Sequence, residues 1–452
     1  MLDLCIINSP LFREINTLYD EDSLPPIGLG YIATVASNAG LSVRLIDAVA
    51  DRIPLEDLKN IIKEQNPKAI GINIFTTNYE LVKELIQSID DTECHIIIGG
   101  LSTRTLYKDI FKWKFEGLID VVFGDGELIV PDLLQGTERQ HPYETKGRRR
   151  LFKIDTKSEY YCSDISNLPL NRNYFSNEPV VHPKGFLEAN ILASRGCIYN
   201  CAFCAAARSL NKDLSVRERS KKSLIIELKS IHEEYPSVTS IRVLDDLFLK
   251  GSKSISNAIE VFSQFSFQWR SMAHVMTFRG ATSQVLLRLK DSGCSEIFVG
   301  VESGSPRILK KIHKTHDIDK IQRNLFKVLD SKIGLKVYFI YGFPDETEED
   351  FSLTYELAYS LKNRAEQSGE KFRTSVFQFR PYHGTEIYNS LKREGVAVDD
   401  ILQTDGDDKL SSLVGRLQFN FHSGNYSNAP MNVVRDYIHK TANLTSTQDW
   451  GI

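Results

Sequence analysis

The sequence predicts an α/β protein: an N-terminal doubly wound, Rossmann- or flavodoxin-like parallel sheet, then a partial (βα)6 barrel of TIM type, then a small C-terminal appendage. Three observations carry this. At 452 residues the chain exceeds one ordinary core. Short apolar runs alternate with segments of helical spacing, the pattern of strands covered on both faces. The alternation comes in two series, one of five strands and one of six.

The first series has apolar runs at Leu4–Ile7, Val43–Ile46, Ala69–Ile74, His95–Ile98 and Ile119–Phe123. Between them, Leu55, Leu58, Ile61 and Ile62 share one helical face, as do Leu81, Val82, Leu85 and Ile86. Five strands make a doubly wound domain over residues 1–140. Residues 141–188 read as a linker, polar and basic around His141–Tyr160 and punctuated by Pro169, Pro183 and Gly185. The second series, over residues 189–394, has runs at Asn190–Ser194, Ser240–Leu244, Gln268–Val275, Glu296–Val301, Leu335–Tyr341 and Ser375–Arg380. Six βα units fall short of the eight in a closed barrel, hence an open one. Residues 395–452 lose the strand signal and read as a helical or irregular appendage.

Composition excludes several classes. Apolar and charged fractions of 42% and 25% are those of a globular protein, and a net charge of −4 offers no footprint for nucleic acid. Arg148-Arg149-Arg150 is the one dense basic run, and three residues suit a solvated linker. No apolar stretch approaches the roughly 18 residues that span a bilayer, and Asp3 stands where a signal peptide wants positive charge. A cytoplasmic location is expected. Seven cysteines in so long a chain argue against a disulfide framework.

Three of the seven, Cys197, Cys201 and Cys204, lie at C-x3-C-x2-C spacing just past the first barrel strand. Such spacing lets one loop wrap a compact metal centre, and thiolates suit zinc or iron–sulfur clusters. The others, Cys5, Cys94, Cys162 and Cys294, are remote in sequence, and Cys294 precedes a buried strand where it reads as core. A structural zinc or an electron-transfer cluster wants four ligands. Three thiolates on a four-iron cluster leave one iron open. A zinc loop completed by a histidine is the alternative.

This spacing, with Arg195-Gly196 before it and Phe203 before the last cysteine, resembles the signature of the radical S-adenosylmethionine (SAM) superfamily. The resemblance implies a [4Fe–4S] cluster on Cys197, Cys201 and Cys204, with SAM chelating the open iron and yielding a 5′-deoxyadenosyl radical. Further stretches resemble the branch with an N-terminal cobalamin (B12)-binding-type domain: Val216-Arg-Glu-Arg-Ser220, Leu244-Asp-Asp-Leu-Phe248, Phe298-Val-Gly-Val-Glu-Ser-Gly-Ser305, Tyr341-Gly-Phe-Pro-Asp-Glu-Thr347 and Pro381-Tyr-His-Gly-Thr-Glu386. Phe203, Arg217, Arg219, Asp245, Glu302, Ser303 and Gly342 are the SAM candidates by this resemblance. Strand-end acids such as Asp245 and Glu302 also fall where barrel active sites are built. Alternatives stay open: Asp246 as a helix cap, Arg217 and Arg219 as partners of surface acids, Gly342 and Pro344 as a tight turn with Thr347 capping the next helix, and His274 as a core histidine.

In the N-terminal series, Ser9-Pro10, Leu24-Pro-Pro-Ile-Gly-Leu-Gly30, Phe75-Thr76-Thr77, Gly99-Gly100 and Gly124-Asp-Gly-Glu127 sit at or near strand ends, where doubly wound sheets bind ligands. Paired glycines admit a large planar ligand close to the backbone. Together these resemble the cobalamin-binding domain of the same branch, with Thr76, Gly99, Gly100, Gly124, Gly126 and Glu127 as candidate contacts. There is no D-x-H-x-x-G, and Leu101-Ser102-Thr103 follows the glycine pair where relatives often carry Pro-His.

The resemblance implies a cobalamin-dependent C-methyltransferase acting on a small-molecule biosynthetic intermediate and served by an external reductant such as flavodoxin or ferredoxin. Neither nucleic acid nor membrane is expected as partner. The competing reading is a radical dehydratase, dehydrogenase or cyclase in which the B12-type domain is vestigial.

Overall fold

A computed structural model describes residues 2–11, 24–89, 93–181, 186–398 and 424–445. Pro183 and Gly185 of the expected linker, and much of the expected appendage, lie outside them.

The five apolar runs of the first series are parallel strands: β1 (Leu4–Asn8), β2 (Val43–Asp47), β3 (Ala69–Asn73), β4 (His95–Gly99) and β5 (Ile119–Phe123). Between and after them run α1 (Ile27–Asn38), α2 (Leu55–Gln65), α3 (Tyr79–Gln87), α4 (Thr103–Ile110) and α5 (Ile129–Gln135). Alternate residues of each strand feed opposite faces. Cys5 and Ile7 pack toward α2, α3 and α4, while Leu4 and Ile6 pack toward α1 and α5. The order β2-β1-β3-β4-β5 reverses between β1 and β3, which opens a crevice over the carboxyl ends of those strands.

The sheet does not stop at Gln140. Two more strands, β6 (Glu144–Lys146) and β7 (Arg149–Lys153), extend it through the stretch read as linker. The basic run masked a strand whose charges are paired within the fold. Arg150 grips the buried Asp120 with two hydrogen bonds, at 2.7 and 2.6 Å, and Arg149 donates to the Gly117 carbonyl at 2.7 Å. Leu151 and Phe152 beside them are fully buried.

The second series curls into an open half-barrel. After the short β8 (Val180–Val181) come β9 (Leu187–Ile191), a small ribbon of β10 (Ser194–Arg195) and β11 (Arg217–Glu218), then β12 (Val238–Val243), β13 (Gln268–Ala273), β14 (Cys294–Glu302), β15 (Gly334–Tyr341) and β16 (Phe372–Gln378). Neighbours run β16-β15-β14-β13-β12-β9-β8, with β9 and β12 through β16 parallel as the six-unit expectation requires. The covering helices are α6 (Lys221–Glu234), α7 (Ser252–Phe262), α8 (Ser283–Asp291), the short α9 (Pro306–Lys311), α10 (Ile318–Asp330), α11 (Glu348–Ser368) and α12 (Glu386–Arg393). Cys294 is buried in this core, and Thr347 caps α11 in a capping box with Asp350.

The described part of the C-terminal stretch holds one helix, α13 (Met431–Ala442), packed on the barrel. Val434, Ile438, Ala442 and Leu444 belong to the barrel core. Among the described residues no helix is long and apolar enough to cross a membrane.

Candidate active site at the domain junction

The cysteine loop begins at the C-terminal end of β9, and the β10–β11 ribbon ties its two ends together. Ser194 pairs with Glu218 and Arg195 with Arg217, so residues 196–216 close into one excursion. Gly196, at φ +88°, turns the chain into it. The Ala202 N–H donates to the Ile312 carbonyl at 3.2 Å, and the Ile387 N–H to the Ala202 carbonyl at 3.1 Å. The loop is thus anchored to the ends of α9 and α12. From below, Asp245 fixes it by accepting from the Ala193 N–H at 2.7 Å and the Ser194 hydroxyl at 2.6 Å.

Cys197, Cys201 and Cys204 are free, half-buried thiols whose charges are felt by one another. Burial raises all three, Cys204 to about 12. Such thiols ionise when a nearby cation compensates them, which cluster iron does. Among the described residues, no three His, Cys, Asp or Glu side chains are placed to hold a single metal ion. Three thiols on one excursion, with no fourth cysteine beside them, fit a four-iron cluster with one iron open.

Lys314 is the cation of this site and was not singled out by sequence reasoning. It donates to Glu302 Oε1 at 2.8 Å and to the Gly300 carbonyl at 2.6 Å, and its charge reaches Cys201 and Cys204. Burial would lower its pKa, but Glu302 and Cys201 outweigh burial and raise it. α9, capped by Ser305, reverses the chain and returns Lys314 to the end of β14. No local spacing announces that return. On another side, His274 stacks on Tyr199 of the loop with centroids 3.8 Å apart, and burial pushes its pKa down to about 3. Asp246 opens into a cavity of about 180 Å³ that Cys197 and Arg217 also line. Protein surrounds its other sides, and that burial raises its pKa.

The remaining SAM candidates are dispersed. Phe203 meets Phe343 edge-on at 5.7 Å. Gly342, at φ +94°, donates its N–H to Glu346 Oε2 at 2.7 Å, and Phe343 donates to the same oxygen at 2.8 Å. Glu346, also missed from sequence, therefore shapes that turn. Ser303 is wholly buried against Thr354. Arg219 binds Ser223, Glu227 and the Leu192 carbonyl, on the α6 side. Arg217 donates to Asp125 and to the Cys162 carbonyl. These contacts give both arginines partners within the fold, and Arg217 also lines the cavity beside Cys197.

A larger cavity of about 480 Å³ lies over the strand ends of the N-terminal sheet, at the reversal of strand order. Gly100, Gly124, Gly126 and Glu127 line it, with Leu192 and Leu244 of the barrel on the opposite wall. Gly100 and Gly124 have φ of +101° and +98°, and a Cβ on either would strike the backbone of Ile74 or Ile154. Gly99 instead borders a deeper cleft of about 80 Å³, and its missing Cβ would meet open space. A wide, largely apolar cavity with a glycine-floored cleft beneath fits a corrinoid. Thr76 lies apart from this lining and bonds the His383 ring at 2.9 Å across the domain junction. This larger cavity and the one beside the cysteine loop share a wall made by Leu101, Asp125, Arg195, Asn211 and Leu214.

Comparisons with known proteins agree with this geometry. Residues 16–134 match the family model for the B12 binding domain, and residues 191–358 that for the radical SAM superfamily. An uncharacterised methyltransferase of Pyrococcus horikoshii is 27% identical over 354 residues, covering 75% of this chain and 73% of its own. Cytidylyl-2-hydroxyethylphosphonate methyltransferase of Streptomyces wedmorensis is 24% identical over 453 residues, covering 85% and 82%. Among solved structures, the radical SAM methyltransferase TsrM from Kitasatospora setae shares the fold with a TM-score of 0.66 at 16% identity, covering 99% of this chain and 90% of that one. With both domain models matched in order on one chain, this protein belongs to the radical SAM superfamily, in the branch that carries an N-terminal B12-binding domain.

Proposed function

We propose that the chain is a cobalamin-dependent radical SAM methyltransferase acting on carbon of a small-molecule intermediate. The observation that carries this is the shared wall: the cavity beside the cluster cysteines and the cavity over the B12-type sheet meet at Arg195 and Asp125. Two reagents used on one substrate must be held within reach of one another. When bound, the cluster with SAM supplies a carbon-centred radical, and cobalamin supplies the methyl group.

The chain's own residues do the rest. Cys197, Cys201 and Cys204 would hold the cluster and leave one position open. Lys314 and Asp246, whose charges both act on Cys197, bring opposite charges to the cysteine loop and would suit the carboxylate and ammonium of an amino-acid moiety. Neutral His274 supports Tyr199 by stacking and stays uncharged at neutral pH. The carboxyl ends of the barrel strands enclose the substrate and limit water. The absence of a basic footprint in the composition favours a small molecule over nucleic acid. A low-potential reductant such as flavodoxin or ferredoxin completes the cycle.

The test is anaerobic reconstitution with iron and sulfide, followed by hydroxocobalamin and gel filtration. Near-stoichiometric retained cobalamin is expected, with 5′-deoxyadenosine formed from SAM and reductant, and none in Cys201→Ala. Candidate substrates are then scored by S-adenosylhomocysteine formation together with a methylated product. Cluster and 5′-deoxyadenosine without retained cobalamin would overturn methyl transfer in favour of a radical dehydratase or cyclase.

A further inference from the structure

We propose that Arg195 couples the occupancy of the two cavities, so that filling the cluster site tightens corrinoid binding and corrinoid reorders the cluster site. The inference rests on the proposed function, because it takes the two cavities to hold a cluster with SAM and a corrinoid.

Arg195 stands two residues before Cys197, with Gly196 as the only link between them. Its guanidinium leaves the barrel for the other domain. Nη2 donates to Glu127 Oε1 at 2.6 Å, Nη1 lies 3.2 Å from Asp125 Oδ2, and the group sits 5.2 Å over the Tyr31 ring. Arg217, its partner across the β10–β11 ribbon, donates to the same Asp125. Two cations from the ribbon thus meet two carboxylates from one glycine turn, Gly124-Asp125-Gly126-Glu127. Burial alone would raise the Asp125 carboxyl, but Arg195 and Arg217 outweigh it and hold it below its ordinary value.

The pairs are largely buried, with Glu127 at 3% and Arg217 at 6% exposure. A surface ion pair opens at little cost, but separating a buried one leaves desolvated charge behind. The turn and the ribbon therefore shift together. A corrinoid resting on the Gly124–Glu127 turn presses on Asp125 and Glu127, which place Arg195 and hence Cys197. The reverse path runs from an ordered cluster loop through Arg195 to the turn. Coupling of this kind is reciprocal, and its usual range is about 5- to 150-fold in affinity.

The experiment uses the full chain and hydroxocobalamin as probe. Its dissociation constant is read from the visible spectrum, first without cluster and then after anaerobic reconstitution. For the unaltered protein the constant is expected to fall about fivefold or more on reconstitution. Arg195→Lys keeps the charge but cannot reach both carboxylates, and Glu127→Gln removes one partner. In each, the ratio of the two constants is expected to fall toward one. A second readout is the electron paramagnetic resonance spectrum of the reduced cluster, expected to change on adding hydroxocobalamin in the unaltered protein and not in Arg195→Lys. A passive fastener between domains would weaken both constants alike and leave the ratio intact, which would overturn the coupling. A ratio of one in the unaltered protein overturns it regardless of how the variants fold. If neither form binds hydroxocobalamin, the cobalamin part of the proposed function fails as well, a result distinguishable from a ratio of one.

Discussion

Glu302 shows how the site is built at the scale of single residues. Its φ of +73° lies in the left-handed region, which costs a non-glycine residue about 1–2 kcal/mol. The β14–β15 register slips between Gly300 and Glu302, and that slip aims the carboxylate at Lys314. A Cβ on Gly300 would come within 2.3 Å of Glu302 Oε1, so a side chain there would displace the carboxylate from this position. Both members of the ion pair are nearly buried, with side chains 8% and 9% exposed. Lys314→Met should therefore destabilise the barrel by about 3–5 kcal/mol through the stranded carboxylate, and adding Glu302→Gln should return much of the loss. Denaturant titration of the single and double variants measures this; equal stability of the two would refute it. Glu346 makes a second residue-level prediction. Burial pushes its carboxyl up to about 8 against partial relief from the Phe343 and Gly342 N–H groups, and Oε1 has no partner. The folded state thus keeps a proton that the unfolded state releases near pH 4.5. Its contribution is fully present below that pH and is lost as pH rises toward 8. Melting temperature should fall between pH 5 and about 8, and Glu346→Gln, which keeps an acceptor for both N–H groups, should flatten the fall.

At the scale of elements, the glycine pair after β4 divides its labour. Gly100 belongs to the turn itself, because a Cβ would sit 2.6 Å from the Ile74 carbonyl oxygen at a positive φ. Gly100→Ala should cost about 1–3 kcal/mol of stability. Gly99 has open space where its Cβ would be, above the small cleft. Gly99→Val should fold as before and retain at least tenfold less hydroxocobalamin after gel filtration; full retention would remove the cleft from the binding site. Sequence reading placed both glycines at a ligand cavity, because a glycine pair at a strand end is a local signal. It could not separate them, because the Ile74 backbone that distinguishes them lies just past the end of another strand, β3. The same limit explains the rest of the site. Three cysteines within eight positions are legible, and apolar runs mark the strands of both sheets. Lys314 against Glu302, and Arg195 against Asp125 and Glu127, are pairs across distant segments with no spacing to betray them. The strand β7 was hidden for a related reason: Arg149 and Arg150 look solvated until Asp120 and the Gly117 carbonyl are in place.

Over the whole molecule, the part of the fold least visible in the sequence is the way the C-terminal stretch completes the barrel. A half-barrel has an exposed last strand, and such edges are usually covered. α13 provides that cover through three buried apolar residues, Val434, Ile438 and Ala442, too few to mark a core helix by periodicity against its polar surroundings. Its docking is also polar. The Tyr341 and Thr441 hydroxyls lie 2.7 Å apart, and the Thr374 hydroxyl donates to the Thr441 carbonyl at 3.0 Å. Tyr341 ends β15 immediately before the Gly342 turn, so the helix steadies the strand end that shapes one side of the site. Thr441→Val preserves shape and strands the buried Tyr341 hydroxyl, for a loss of about 1–3 kcal/mol. Removing both partners together is far milder than leaving one unsatisfied, so Tyr341→Phe in the Thr441→Val background should recover most of that loss. Chemical denaturation of the four proteins in this cycle gives the coupling directly. Strong non-additivity places α13 on β15 in solution, whereas additive losses would mean that the helix does not dock there and that the half-barrel edge is covered in some other way.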